Sequence, residues 1–398
     1  MEDTVKVGII SEYALHTVNF GNCLQAYALN SFLRNGLGIE QVESIALGSK
    51  QMLRYTHMLS LGFASKIVHT LWDKTVGKAR NNSAETVDLK NRLRKFEDFQ
   101  QAHIPTCERQ FFRNEICDTD YDAIVVGSDV VWRQCPLWIS RTKFLDFEAK
   151  KPFRRIAYAA SFGHDYIPKE NVKYIRKYLS RFDAISVREH SSVAMLNGIG
   201  VPNVSYCLDP TLLLPVQEWE ALEEKPEAVA DGERYLFTYL LGGSACQRRE
   251  IEAFAEKAGL KTVTVPHANG LFVEADGNYA DVRLQDCSIG NWLWLIHHAQ
   301  YVISDSFHGT VFSTIYNRPF VSLFREDTVD INNRLRDYLG QIGQTDKMLS
   351  EGRLLEMAGL TWDYGQIRAA IEERKQSSVA FLKNAFREHP KQNQETDR

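Results

Sequence analysis

The chain has 398 residues, 44% of them hydrophobic and 25% charged, which is enough apolar material for the cores of two or three ordinary domains. A formal net charge of −4 excludes a general nucleic-acid binder, because such domains carry a strong basic balance. The seven cysteines (Cys23, Cys107, Cys117, Cys135, Cys207, Cys246 and Cys287) are odd in number and form no C-x-x-C pair. They point to reduced thiols in a cytoplasmic protein and away from a disulfide framework or a zinc site.

The acidic start, Met1-Glu2-Asp3-Thr4, runs straight into a strand at 5–10, with no basic or apolar leader pattern. Further strands are predicted at 123–127, 155–160, 184–187, 235–241, 261–265, 301–304 and 320–324. Several are unbroken apolar runs such as Ala123-Ile124-Val125-Val126, the pattern of strands buried on both faces of a parallel sheet. Helical periodicity fills the gaps, and the alternation points to doubly wound α/β units. Residues 50–95 interrupt it. Tyr55, Leu59, Phe63, Ile67 and Leu71 recur at helical spacing, and the window has a balance of +7 against −11 for the remainder. That composition suits either a helical insertion packed on the first domain or a basic amphipathic helix on an anionic membrane surface.

A boundary is expected between 202 and 234, where a Glu-rich stretch with Pro226 precedes a fresh strand. The resulting division is an N-terminal α/β domain over 1–210, with the insertion near 50–95, and a C-terminal α/β domain over 211–362. A helix follows over 363–388, opened by Asp363 and Gln366 at capping-box spacing, and then a polar tail over 389–398. The most apolar long stretch, 292–303, contains His297, His298 and Gln300 and falls short of the ~20 residues of a membrane span.

Three loops share one plan, a strand followed by a polar turn that opens a helix. They are 11–25 with Asn19-Phe20-Gly21-Asn22-Cys23-Leu24-Gln25, then Gly127-Ser128-Asp129, then Ser304-Asp305-Ser306-Phe307-His308-Gly309-Thr310. Ligands of open α/β sheets bind outside the carboxyl ends of strands, and helix starts offer unpaired N–H groups to anions. His308 can move a proton or donate to an anion. Arg188, in Ser186-Val187-Arg188-Glu189, suits a carboxylate or phosphate, or a salt bridge with Glu189 or Asp183. Asp209, in Leu208-Asp209-Pro210-Thr211, can orient a hydroxyl, act as a base or simply initiate a turn. Gly242-Gly243-Ser244 reads as a turn. No metal-ligand cluster is expected, and His297-His298 reads as structural, since neighbours on a helix point about 100° apart.

The ordered set of these segments, with Tyr27-Ala28-Leu29, Tyr121-Asp122, Trp132, Leu212-Leu213 and Asn317-Arg318-Pro319-Phe320, resembles the polysaccharide pyruvyl transferase family across about residues 5–325. The resemblance implies two Rossmann-like domains facing a cleft, a GT-B-like architecture. It implies phosphoenolpyruvate as co-substrate, no cofactor or metal, and a sugar of a cell-surface polysaccharide, or its lipid-linked precursor, as acceptor. It also implies a cyclic ketal as product and work in the cytoplasm or at the inner membrane face. His308, Asp129 and Asp209 are then the catalytic candidates. Arg188, Ser306, Gly309, Thr310, Arg318 and Arg325 are the donor-binding candidates, and Asn19, Asn22 and Gln25, amides that both donate and accept, suit the acceptor. Many relatives are similar to an Arg-Leu-His-Gly pattern at the last loop. Ser306 stands at that arginine's position here, so donor binding leans on Arg188, Arg318, Arg325 or backbone N–H groups. A glycosyltransferase using a nucleotide sugar and a non-catalytic glycan-binding relative are the competing readings.

Overall fold

A computed structural model describes residues 5–13, 15–47, 84–109, 120–133, 139–325 and 332–387. The helix expected from Tyr55 to Leu71 and the polar tail over 389–398 lie outside the described residues.

Two parallel sheets organise the rest. The first contains β1 (Lys6–Ile10), β2 (Gln41–Leu47), β3 (Thr106–Arg109), β4 (Ala123–Val126), β5 (Arg154–Ala160), β6 (Ala184–Val187) and β7 (Val204–Tyr206), in the order β3-β2-β1-β4-β5-β6-β7. The second contains β8 (Tyr235–Tyr239), β9 (Lys261–Thr264), β10 (Val282–Arg283), β11 (Tyr301–Ser304), β12 (Phe320–Leu323) and β13 (Met348–Leu349), in the order β10-β9-β8-β11-β12-β13. All pairings among these strands are parallel. Every residue of β4, β5 and β8 is buried, as the apolar runs require of strands covered on both faces. Strand order reverses at β1 beside β4 and again at β8 beside β11. Loops at the carboxyl ends of such strands part to opposite faces and leave a crevice.

The described helices are α1 (Phe20–Ser31), α2 (Ala84–His103), α3 (Lys169–Leu179), α4 (His190–Gly198), α5 (Val216–Glu220), α6 (Ala245–Ala258), α7 (Ile289–His298), α8 (Phe307–Ile315), α9 (Asn333–Gln341) and α10 (Tyr364–Arg387). The two sheets share one continuous apolar core, which runs through α1, α7 and α8. Phe20 of α1 stacks on Trp292 of α7 with centroids 5.4 Å apart and meets the edge of Tyr239 at 5.5 Å. Trp219 meets Phe312 of α8 at 4.9 Å and Tyr27 of α1 at 5.6 Å. Burying one such ring contributes about 1.5–3 kcal/mol, and each good aromatic pair about 0.5–1.5 kcal/mol more. This cluster forms a firm floor between the halves.

Two helices tie the halves together by polar contacts. On α2, the buried Arg92 donates to the carbonyls of Gln285 (2.7 Å), Pro266 (2.9 Å), His267 (3.1 Å) and Leu284 (3.3 Å). Lys95 pairs with Asp286 at 2.5 Å. The described end of the basic 50–95 window therefore packs against the second sheet's loops. It is not an insertion confined to the first half, and Arg92 does not belong to a solvated basic face, because its N–H groups satisfy carbonyls that water cannot reach. Helix α10 is capped by Asp363, whose Oδ1 accepts from the Gln366 N–H at 3.0 Å, and Ile367 and Leu382 are its buried anchors. It starts against β12, where Trp362 Nε1 donates to the Phe320 carbonyl, and returns to the first half. There Ser378 Oγ accepts the Leu208 N–H at 3.0 Å and Phe381 packs against Tyr158. Among the described residues no helix is long and apolar enough to cross a membrane.

Candidate active site

The loops after β1, β4, β8 and β11, the four strands at the two reversals, line one cleft of about 300 Å³. From the first half come Glu12, Asn19, Gly21, Asn22, Asp129 and Arg133; from the second come Tyr239, Asn269, Asp305, Ser306, His308, Arg325 and Arg334.

Each wall is fixed by local chemistry. Asn19 caps α1 from an extended backbone, its Oδ1 accepting the Asn22 N–H at 3.0 Å, and Asn22 Nδ2 donates to the Glu12 carbonyl at 3.2 Å. On the second half, Ser304 Oγ donates to the Tyr239 carbonyl at 2.7 Å and accepts the Ser306 N–H at 3.0 Å, which turns the chain into α8. Asp305 reaches back to the β8 loop and accepts the N–H groups of Leu241 and Gly242, each at 2.7 Å. Burial nevertheless raises its pKa, those two bonds offsetting the effect only in part.

His308 sits in the first turn of α8, buried between the halves. A Cβ at Gly21 would lie 2.1 Å from its Nδ1, so α1 can approach the imidazole only because residue 21 is glycine. Its Nε2 has no hydrogen-bond partner among the described residues and faces Asp209 Oδ2 at 3.6 Å, a charge contact longer than a hydrogen bond. Asp209 lies wholly buried behind the ring. Its Oδ1 accepts from Thr211 N (3.0 Å) and Oγ1 (2.7 Å), and its Oδ2 accepts from Ser128 Oγ (3.1 Å) and Arg188 Nη1 (2.7 Å). Burial alone would raise the Asp209 pKa, but His308 and Arg188 outweigh it and hold the carboxyl well below its usual range. An ionised carboxylate is thus fixed 3.6 Å from the imidazole Nε2, where it orients the ring.

Arg188 is spent on protein groups. Besides Asp209 it meets Glu189 Oε1 at 3.2 Å and Asp129 Oδ1 at 3.5 Å, and its guanidinium lies 4.1 Å from the Phe307 ring centroid. It braces three carboxylates and is not among the groups that line the cleft, which corrects its reading as a donor clamp. Asp209 is likewise kept from substrate by its own burial. Four more expected contacts turn away. Gln25 is buried, with Nε2 on Ser11 Oγ and the Asn22 carbonyl and Oε1 on the Ser128 N–H, so it ties the β1 and β4 loops together. Gly309 packs on β11, where a Cβ would come 2.4 Å from Ser304 Oγ. Thr310 Oγ1 is bonded to Ser322 Oγ at 2.7 Å. Arg318 precedes β12, at the amino-terminal edge of the sheet, close to Tyr235 and Tyr364. His308, Asp129, Ser306, Arg325, Asn19 and Asn22 do line the cleft.

Sequence reasoning missed Arg133, Arg334, Glu12 and Asn269. Arg133 stands four residues after Asp129 and was within reach of the same reasoning. Arg334 lies on a helix with no motif to flag it. The structure also corrects the expectation of no metal-ligand cluster, since Glu223, His297 and His298 converge at the end of α7. The rings are held in place: His297 bonds Glu223 at 2.8 Å and stacks on Tyr316, while His298 stacks on Trp294 and bonds its carbonyl.

No curated protein sequence matches the chain. Among solved structures, it is similar to a putative UDP-N-acetylglucosamine 2-epimerase from Listeria monocytogenes, at 10% identity and a TM-score of 0.52, covering 97% of this chain and 98% of that one. It is similar to the S. aureus MnaA–UDP structure, again at 10% identity, with a TM-score of 0.51 and 97% and 99% coverage. At such identity these likenesses show the fold, a two-sheet GT-B-like architecture. The family model for polysaccharide pyruvyl transferase matches residues 19–324, most of the chain and all of the strand-end loops that carry His308, Asp129 and Asp209, and the protein belongs to that family of enzymes.

Proposed function

We propose that the enzyme transfers the pyruvyl group of phosphoenolpyruvate onto two hydroxyls of one sugar in a cell-surface polysaccharide or its lipid-linked precursor, forming a cyclic ketal. The observation that carries this reading is His308, backed by the fixed anion Asp209, in a cleft that also presents the cations Arg133, Arg325 and Arg334. A donor bearing a phosphate and a carboxylate needs several fixed positive groups, and its methylene carbon needs a proton.

In this reading His308 protonates the donor methylene, and C2 becomes electrophilic. One sugar hydroxyl adds to C2 and loses its proton; the second displaces inorganic phosphate and closes the ring. One hydroxyl proton replaces the proton spent on carbon, and the other leaves with phosphate. Asp129 lines the cleft next to His308. Burial opposes its charge, but Arg188, His308 and Arg334 lower its pKa, so it is an anion that orients a hydroxyl or the imidazolium. Asn19 and Asn22, at the rim of α1, suit the acceptor's hydroxyls. A cytoplasmic setting is supported by the five described cysteines, all free thiols. Contact with the inner membrane face through the 50–95 segment belongs to the same proposal, and unchanged flotation on anionic liposomes after its deletion would remove that part.

The test is incubation of the pure protein with phosphoenolpyruvate and a panel of lipid-linked saccharides, followed by mass measurement and phosphate assay. A ketal product with stoichiometric phosphate and no nucleotide requirement supports the reading. Transfer that needs a nucleotide sugar, with phosphoenolpyruvate untouched, overturns it.

A further inference from the structure

Position 306 is the place where a donor-binding arginine is missing, since Ser306 offers the cleft only a hydroxyl and a backbone N–H. The cations of this cleft come from elsewhere. Arg334 stands in the first turn of α9, beyond the end of the family match at residue 324. Its side chain is 14% exposed and lines the cleft. Among the described residues its Nε is buried without a hydrogen-bond partner and its ion pair, to Asp129 Oδ1, is long at 3.4 Å. Arg133 lines the cleft from the first half, after β4. Its exposed guanidinium makes no ion pair among the described residues.

The cleft's three carboxylates equal its three arginines in number but are largely committed to other partners. Glu12 is taken by Lys143, and Asp305 is bonded to two backbone N–H groups. Asp129 shares one oxygen between Arg188 at 3.5 Å and Arg334 at 3.4 Å. Arg334 is destabilised as a cation chiefly by burial, with the charges of Arg188 and Arg133 acting in the same direction against the pull of Asp129 and Glu189; its pKa is lowered to about 10. A partly desolvated guanidinium with spare donors and a like charge across a cleft is held at a cost unless an anion completes the site.

We propose that Arg334 and Arg133, on opposite walls of the cleft, form a two-armed clamp for the donor's phosphate, doing the work of the arginine absent at position 306. The clamp names a phosphate-bearing anion as the ligand of this corner, because guanidinium forks bond tetrahedral oxyanions through paired N–H groups and a dianion neutralises both arms. Arg325 also lines the cleft from the second half; its backbone N–H and carbonyl both bond the Asn332 side chain at 2.9 and 2.8 Å, which ties the loop after β12 to the start of α9. The clamp's two arms come from different halves, so a bound phosphate joins them. This assignment rests on the phosphoenolpyruvate reading for the identity of the donor but not for the existence of the anion site.

The experiment is calorimetric titration of wild type, Arg334→Ala, Arg334→Lys and Arg133→Ala with phosphoenolpyruvate, inorganic phosphate and pyruvate. Loss of charge-assisted hydrogen bonds weakens phosphate and phosphoenolpyruvate by about 10–100-fold in Arg334→Ala, with a partial recovery in Arg334→Lys. Arg133→Ala, an exposed site whose change leaves the fold alone, weakens them less, and pyruvate binding does not respond to either residue. Unchanged affinity for both phosphate ligands in Arg334→Ala and in Arg133→Ala overturns the clamp. Wild type that binds phosphate through Arg334 but not phosphoenolpyruvate keeps the clamp and overturns the donor reading.

Discussion

Arg188, at the end of β6, and Arg334, at the start of α9, reach the same carboxylate, Asp129, yet the structure uses them in opposite ways. Arg188 is 2% exposed and touches Asp209, Glu189 and Asp129, so its charge is fully answered by protein. Among the described residues Arg334 has one long ion pair and a buried Nε without a hydrogen-bond partner. The same residue type is a brace in one place and an open hand in the other, and partner count, not burial, separates them. His308 falls with Arg334, since among the described residues its Nε2 also lacks a hydrogen-bond partner.

The contrast is broken most forcefully at the brace. Arg188→Ala strips Asp209 and Glu189 of their guanidinium and leaves Asp129 with Arg334 alone, and such one-sided deletions of a buried ion pair cost about 3–5 kcal/mol. Urea unfolding should show that loss; an unfolding midpoint equal to wild type would make Arg188 a ligand group after all. His308→Ala should act mainly on turnover. It falls by about 10²-fold or more if the imidazole moves the proton, with a smaller loss of stability from the deleted buried ring and its 3.6 Å contact with Asp209. Retained turnover removes His308 from the chemistry. Gly21→Ala sharpens the geometry between these extremes. Its Cβ would meet Nδ1 at 2.1 Å, so the ring must shift, and overpacking costs of about 1–3 kcal/mol accompany a fall in turnover. Equal activity would mean that the ring's position against α1 is immaterial. The smallest effect is on pH. The native pKa of Asp209 is depressed, so its contribution to stability is complete above the unfolded value of 3.8 and is lost as pH falls below it towards the native value. Asp209→Asn, compared with wild type in acid unfolding below pH 3.8, should lose less further stability; parallel curves would show that the carboxylate is not the acid-sensitive group.

Much of the scaffold could be read from the sequence because its strands are short apolar runs closed by polar turns. Strands β6 and β11 match the expected 184–187 and 301–304 residue for residue, and α10 lies one residue from the expected helix at each end. β2 was missed because Glu43 and Ser44 interrupt its apolar pattern. Glu43 is accommodated in the parallel sheet by the Tyr121 hydroxyl, which donates to it at 2.6 Å, and by Lys6 at 3.5 Å. Strands β10 and β13 have two residues each and carry no periodicity. At the site, motif position revealed which loops meet but not which side chains point inward. Gly309 and Thr310 share a loop with His308, and the α8 turn sends them onto β11 and β12 instead. Arg334 carries no motif, and its place follows from how α9 packs, which only the tertiary structure shows.

The path of α10 bears on how the protein is made. Leu208 and Ser378, joined by a hydrogen bond, are 170 positions apart in the chain. A ribosome therefore delivers every strand of the first sheet long before the helix that satisfies the Leu208 N–H has been synthesised. Until then the backbone beside Asp209 and the ring of Tyr158 lack their cover, so the nascent first half emerges with the corner beside Asp209 unfinished. Domain-by-domain folding during translation can set the sheets, but assembly of the Asp209–His308 pair waits for the second sheet, and its final cover waits for the helix after that.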